Sequence, residues 1–234
     1  MSESPLSAPV LFSIGAVDVA TPVVITWGIM AVLVSGSWLL TRHLRGQDSM
    51  RPPSKTQAVV ELVVGAIEGQ VRDTMRTEPS RYLPLIGTLM VFILAANWSW
   101  LIPGVEPPTA YLETDAAMAL IVFCATIYYG IRVQGLRRWL AGFAEPTFVM
   151  IPLNVLETFT RTFSMLVRLF GNVMSGVFVI GIVLSLAGLL MPIPLMALDL
   201  LTGAVQAYIF SVLAMVFIGG AIGNEREPPT KGTE

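Results

Sequence analysis

R-T-F-S-M-L-V-R-L-F-G-N-V-M-S-G, residues 161–176, is the stretch that decides the fold. It sets Arg168 in the middle of an apolar run that continues to Met191. A guanidinium there cannot shed its charge, because its pKa lies above ~12. At the bilayer centre such a charge costs about 2.5–3.5 kcal/mol on insertion scales. A chain carries that cost when the charge has a partner or a task.

The surrounding composition says that the run lies in lipid. The 234 residues are 54% hydrophobic and 13% charged, against about 25% charged in soluble domains. Lipid obliges every backbone group to be satisfied within its own segment, so the chain is expected to be helical. A net charge of −2 gives no attraction to nucleic acid. The single cysteine, Cys124, excludes a disulfide within the chain and reads as a small buried hydrophobe. His43 stands between Arg42 and Arg45 and reads as an interface residue, not a metal ligand. No cofactor is expected. The first twenty residues hold no Lys or Arg, so no n-region of a signal peptide is expected there.

Working outward, the expected fold class is an all-α integral membrane protein, a single membrane domain over 1–234. Crossings are expected at 22–41, 82–102, 115–132, 146–191 and 195–222, with the last two long and strongly tilted. Segment 54–76 shows helical spacing of Val59, Leu62, Val63, Ala66, Ile67 and Val71 opposite Glu61, Glu68, Arg72 and Asp73. It reads as an amphipathic helix lying on the cytoplasmic membrane surface, or else packed on other parts of the chain. Basic residues fill 41–81, 132–145 and the tail, and are missing from the N-terminus, 103–114 and 192–194. By the positive-inside rule the N-terminus is outside and the C-terminus cytoplasmic.

A helix over 146–191 would run roughly 65 Å, far more than a hydrocarbon core of about 30 Å. The last crossing, at roughly 42 Å, also demands tilt. On the long helix Glu157, Arg161, Ser164, Arg168, Asn172 and Ser175 recur at steps of three and four and form one stripe. On the last helix Asp199, Thr202, Gly203 and Gln206 share a face. Polar stripes inside a membrane face protein or a water-filled cavity. The two are expected to face each other or a third party. Three plainer readings stand beside this one: inter-helical hydrogen bonding along a seam, a structural ion pair between Arg168 and Asp199, and a structural i,i+4 pair between Glu157 and Arg161.

At R-L-F-G-N (168–172), with Q-A-Y-I-F (206–210) on the next helix, the sequence resembles subunit a of the membrane sector of rotary (F-type) ATP synthases. The resemblance extends to P-P-S-K-T-Q-A-V-V-E-L-V-V-G (52–65), I-P-G…P-P-T-A (102–110) and A-M-A-L-I-V-F (117–123), and takes in most of the chain. It implies a static subunit beside a rotating ring of c subunits, each bearing a carboxylate near the midplane. Two offset aqueous half-channels would meet the ring beside an essential arginine. By resemblance that arginine is Arg168, with Gln206 and Asn172 its neighbours and Ser164 and Ser175 on the same stripe. The partners implied are the c-subunit ring, the peripheral-stalk b subunits and the rest of the complex, in a bacterial inner membrane.

The sequence departs from the commoner pattern in places. Val177 and Asn154 stand where relatives often carry an acid, and Tyr111 follows P-T-A where Asp is frequent. Asp199 holds a position usually filled by His or Glu. The outer half-channel is therefore expected to draw on Asp199, Glu113 or Asp115, and the cytoplasmic one on Glu157. These departures suggest an unusual, N-type branch, and they leave the ion open between H+ and Na+. A non-catalytic role is expected, since no phosphate-binding G-x-x-x-x-G-K-[ST] occurs. A secondary transporter with Arg168 binding an anion is the remaining alternative, but the sequence shows no convincing internal repeat to support it.

Overall fold

The structure is a computed structural model. It describes residues 10–14, 17–44, 55–102, 105–144, 150–188 and 191–223. Seven helices account for most of these residues: α1 (Thr21–Leu44), α2 (Lys55–Met75), α3 (Leu83–Trp98), α4 (Leu112–Gln134), α5 (Leu136–Ala144), α6 (Met150–Ala187) and α7 (Pro192–Ile222). Five of them, α1, α3, α4, α6 and α7, are long and apolar enough to cross a membrane. The protein is an all-α integral membrane protein.

Three features go beyond the sequence reading. A small antiparallel hairpin, β1 (Val10–Ile14) with β2 (Val17–Ala20), leads directly into α1. The basic segment after α4 is not a plain loop but holds α5, whose Arg137 and Arg138 are exposed while Trp139 turns inward. The prolines at 192 and 194 open α7 instead of merely separating it from α6. Proline is at home in a first turn, where its missing N–H would have no intrahelical partner. The expected start of the long helix at 146–149 and residues 189–190 lie outside the described residues, but α6 ends at Ala187, short of the expected Met191, because Gly188 turns out of the helix at φ 75°.

Local chemistry ends the elements. Helix α2 stops at Arg76, whose φ of 48° is left-handed and whose N–H closes on Arg72 O at 2.9 Å. Such a conformation costs a non-glycine residue about 1–2 kcal/mol. Glycine meets the same need at lower cost after α4: Gly135, at φ 81°, donates to Ile131 O at 2.9 Å.

Helix α7 is the axis of the bundle. It packs along α3, α4 and α6 and touches α2. Its buried stripe includes Gly203, Ala207, Ser211 and Ala214 alternating with Phe210, Met215 and Ile218. Between helices in lipid there is little hydrophobic drive, so close packing of small residues supplies the cohesion. Against this stripe α3 sets Ile86, Leu89 and Ile93, and α4 sets Met118 and Val122. Among the described residues of α2, Ile67, Val71 and Met75 are buried, while Val59, Leu62, Val63 and Val64 are exposed. The amphipathic helix thus packs on the bundle chiefly by its second half.

Cys124 corrects the sequence reading, for it is exposed. In a membrane helix a small apolar side chain gains nothing by burial in protein, because lipid is equally apolar.

The crossings give the bundle two chemically distinct ends. Arg42, Arg81, Arg132, Arg137 and Arg138 stand at the basic end. Glu106, Glu113 and Asp199 stand toward the acidic end, near the starts of α4 and α7.

Candidate functional site

Helix α6 runs 38 residues, about 57 Å, so Arg168 falls near its middle. Met165, Leu169 and Val173 bury one face of α6 against the bundle. The polar stripe lies beside that face and not on it. Glu157, Arg161, Ser164, Arg168 and Ser175 are exposed, and Asn172 is half-buried. Ser175 donates back to Asn172 O at 3.0 Å.

Arg168 has no ion pair among the described residues, where the pairs are Arg72–Glu68 and Arg161–Glu157. Asp199 leans instead on Gly176, where a Cβ would collide with its carboxylate. Gly176 lies two turns beyond Arg168, about 12 Å along the helix. The structural Arg168–Asp199 pair is therefore not formed. Glycine at 176 is what lets the Asp199 carboxylate enter the seam between α6 and α7.

The α7 stripe behaves differently from its counterpart. Gly203 is buried against α3, where a Cβ would lie 3.1 Å from Asn97 Cβ. Gln206 is 5% exposed, and its Nε2 meets no acceptor among the described residues. The two stripes do not close on each other: the α7 stripe is partly inside the bundle, while the α6 stripe looks outward.

The sequence reading passed over Asn97. Its Nδ2 donates to Gly203 O at 2.9 Å, and its Oδ1 accepts from Thr109 Oγ1 at 2.8 Å. Both side chains are buried. A lone amide at the end of an apolar crossing is the signal that could have found it. The same end is fixed by Trp98, whose Nε1 donates to Leu200 O at 3.0 Å.

Near the basic end a cavity of about 300 Å³ opens between α4, α5, α6 and α7. Asn154, Glu157, Thr158, Arg161 and Thr162 line one wall of it, and Gln134 and Trp139 line another. Glu157 and Arg161 form the expected i,i+4 pair, and the guanidinium also lies 5.5 Å from the centre of the Phe217 ring. Trp139 fits there because Gly130 has no Cβ, which would otherwise approach Trp139 Nε1 within 2.7 Å.

At the acidic end Tyr111 donates a hydrogen bond to Glu106. Burial, that bond and the charges of Glu106 and Glu113 push its pKa up to about 12. Glu113 is exposed, whereas Asp115, two residues on, is fully buried.

Residues 23–219 match the family described as ATP synthase A chain. The chain belongs to that family. An ATP synthase subunit a 2 of Bradyrhizobium sp. is 53% identical over 224 residues, covering 96% of this chain and 98% of the relative. The ATP synthase subunit a of Albidiferax ferrireducens is 44% identical over 218 residues, covering 93% of each chain. A further ATP synthase subunit a 2, from Acaryochloris marina, is 44% identical over 211 residues, covering 90% of this chain and 87% of the relative. The span matched to the ATP synthase A chain family takes in every polar residue of the α6 and α7 stripes, the Asn97–Thr109 pair and the cavity residues Gln134, Trp139, Asn154, Glu157 and Arg161.

Proposed function

We propose that this chain is the static subunit a of a rotary ATP synthase in a bacterial inner membrane, with no active site of its own. In this reading Arg168 serves moving carboxylates on a ring of c subunits seated against α6 and α7, and b subunits of the peripheral stalk hold the chain still. The observation that carries the proposal is the outward, unpaired position of Arg168 midway along α6.

The physics follows from that position. A ring carboxylate that has released its ion cannot cross lipid alone, and a fixed guanidinium attracts it and lets it pass. The same charge repels a cation that would run straight from one half-channel to the other. One elementary charge moving through 100 mV is worth about 2.3 kcal/mol, the work available for torque. Arginine suits this better than lysine, since a desolvated ammonium can lose its proton.

Two offset routes would feed the ring. The cavity at Asn154, Glu157 and Arg161 is read as the cytoplasmic half-channel, opening at the basic end. The seam that the Asp199 carboxylate enters at Gly176 is read as the outer one, leading past Gln206, Asn172 and Ser175 toward Arg168. Ser164 continues the stripe on the cytoplasmic side. The carried ion is read as a proton, passed between single carboxylates.

The test is ion-driven ATP synthesis in vesicles carrying the reconstituted complex. Arg168→Ala is expected to assemble and to lose synthesis, with passive flux undiminished because the barrier between half-channels is gone. The double change Arg168→Gln with Asp199→Asn is expected not to rescue coupling. Normal synthesis in an assembled Arg168→Ala complex would sink the mechanism. Synthesis driven by a sodium gradient alone would replace the proton by Na+ and leave the rest standing.

A further inference from the structure

Asp115 is the one acidic or basic side chain that is buried among those described, at 0% exposure. Neither of its carboxylate oxygens meets a hydrogen-bond donor among the described residues. An isolated ionised carboxylate cannot stay in such a place, so the group must hold a proton or exchange one with water.

Its position also rules out the plain alternative. Acids are common in the first turn of a helix, where they favour the positive end of the dipole. Glu113 fills that role from the exposed face of α4. Asp115 caps nothing, and it points inward on the face that also buries Met118, Ala119 and Val122.

The depth of Asp115 can be read from contacts. Helices α4 and α7 run in the same direction, and Gln134 Nε2 donates to Ala221 O at 2.9 Å. Counting back equally along both helices brings Asp115 to the level of Thr202 and Gly203. At that level Asn97 and Thr109 already form a buried polar chain to Gly203 O. Gln206, with its unpartnered Nε2, lies one turn deeper, and Asp199 lies one turn nearer the acidic end. Counting along α6 from the Gly176–Asp199 contact puts Asn172 at about the same level as Asp115.

We propose that Asp115 is an ion-carrying residue of the outer pathway, standing between Asp199 and the Gln206–Arg168 level. A hydrated proton reaching it forms an O–H bond on the carboxylate and leaves water behind. That bond breaks when the proton moves inward to water or to the ring carboxylate. The assignment rests on the rotary reading above.

The experiment uses the whole complex in vesicles. Asp115→Asn keeps the side chain's shape and removes its ability to carry a proton. Ion-driven ATP synthesis is expected to fall by about 100-fold, the scale of losing a positioned proton carrier, with assembly intact. Asp115→Glu is expected to recover part of the rate. In a Cys124→Ala background, Asp115→Cys is expected to be alkylated by a small water-soluble thiol reagent added on the outer side, whereas the background alone is not.

Normal synthesis in the Asn variant, or no labelling of the Cys variant from the outer side, overturns the proposal. Failure of both variants to assemble also overturns it, since it marks a structural carboxyl. Arg168→Ala is run in parallel. Coupling that survives there sinks the rotary reading itself, whereas coupling lost there but normal in Asp115→Asn sinks only the assignment of Asp115.

Discussion

At the scale of single residues, Tyr111 shows how a neighbouring acid and burial together hold a phenol neutral. Its hydroxyl holds Glu106 across the turn that precedes α4. Its pKa is raised from 10.0 to about 12, first by burial and then by the hydrogen bond and charge of Glu106. The neutral phenol is thus the favoured form in the fold. Its contribution to stability is complete below pH 10 and is lost as pH rises from 10 through 12. A difference titration of tyrosinate absorbance, wild type minus Tyr111→Phe, should show one phenol ionising near the upper end of that range. Ionisation at the ordinary value would mean that the Tyr111–Glu106 contact is not kept in solution.

At the scale of elements, α3 is tied to α7 and to the turn before α4 by one amide. Asn97 donates to Gly203 O and accepts from Thr109, and the absence of a Cβ at Gly203 gives it room. Removing it leaves a buried hydroxyl with a broken bond and a carbonyl that has lost its side-chain donor. We expect Asn97→Ala to lower stability in detergent by about 1–3 kcal/mol. Thr109→Val should cost less in that background than alone, because the two side chains share one bond. Strictly additive losses in a denaturant titration would show that the pair does not act as a unit.

At the scale of the whole molecule, opposite chemistry at the two ends predicts an orientation. The exposed arginines of α5 lie at one end, and Glu106 and Glu113 lie at the other. In a Cys124→Ala background, Glu106→Cys should react with a membrane-impermeant thiol reagent only from outside, and Arg137→Cys only from the cytoplasm. Labelling of both from one side would overturn the arrangement of crossings. The molecule also leaves long apolar faces of α6 and α7 bare, among them Phe163, Val167, Val205 and Tyr208. Arg168 lies among them, which is why its outward position reads as an interface and not as a surface defect.

The crossings, the central place of Arg168 and the polar stripe of α6 were legible in the chain. Each depends on residues a few positions apart, and apolar length and helical period are local properties. The resemblance at R-L-F-G-N and Q-A-Y-I-F was local in the same sense, so the family was legible as well. What lay beyond the sequence was the choice among acids. Glu113 and Asp115 differ by two positions, which on a helix turns one about 200° from the other. Only the packing of α4 against the rest of the bundle decides which of them is buried. The Asp199–Gly176 contact joins residues on different helices, and so does the tie from Asn97 to Gly203. No local pattern encodes either contact, because the angle at which two helices meet is set by all the side chains between them.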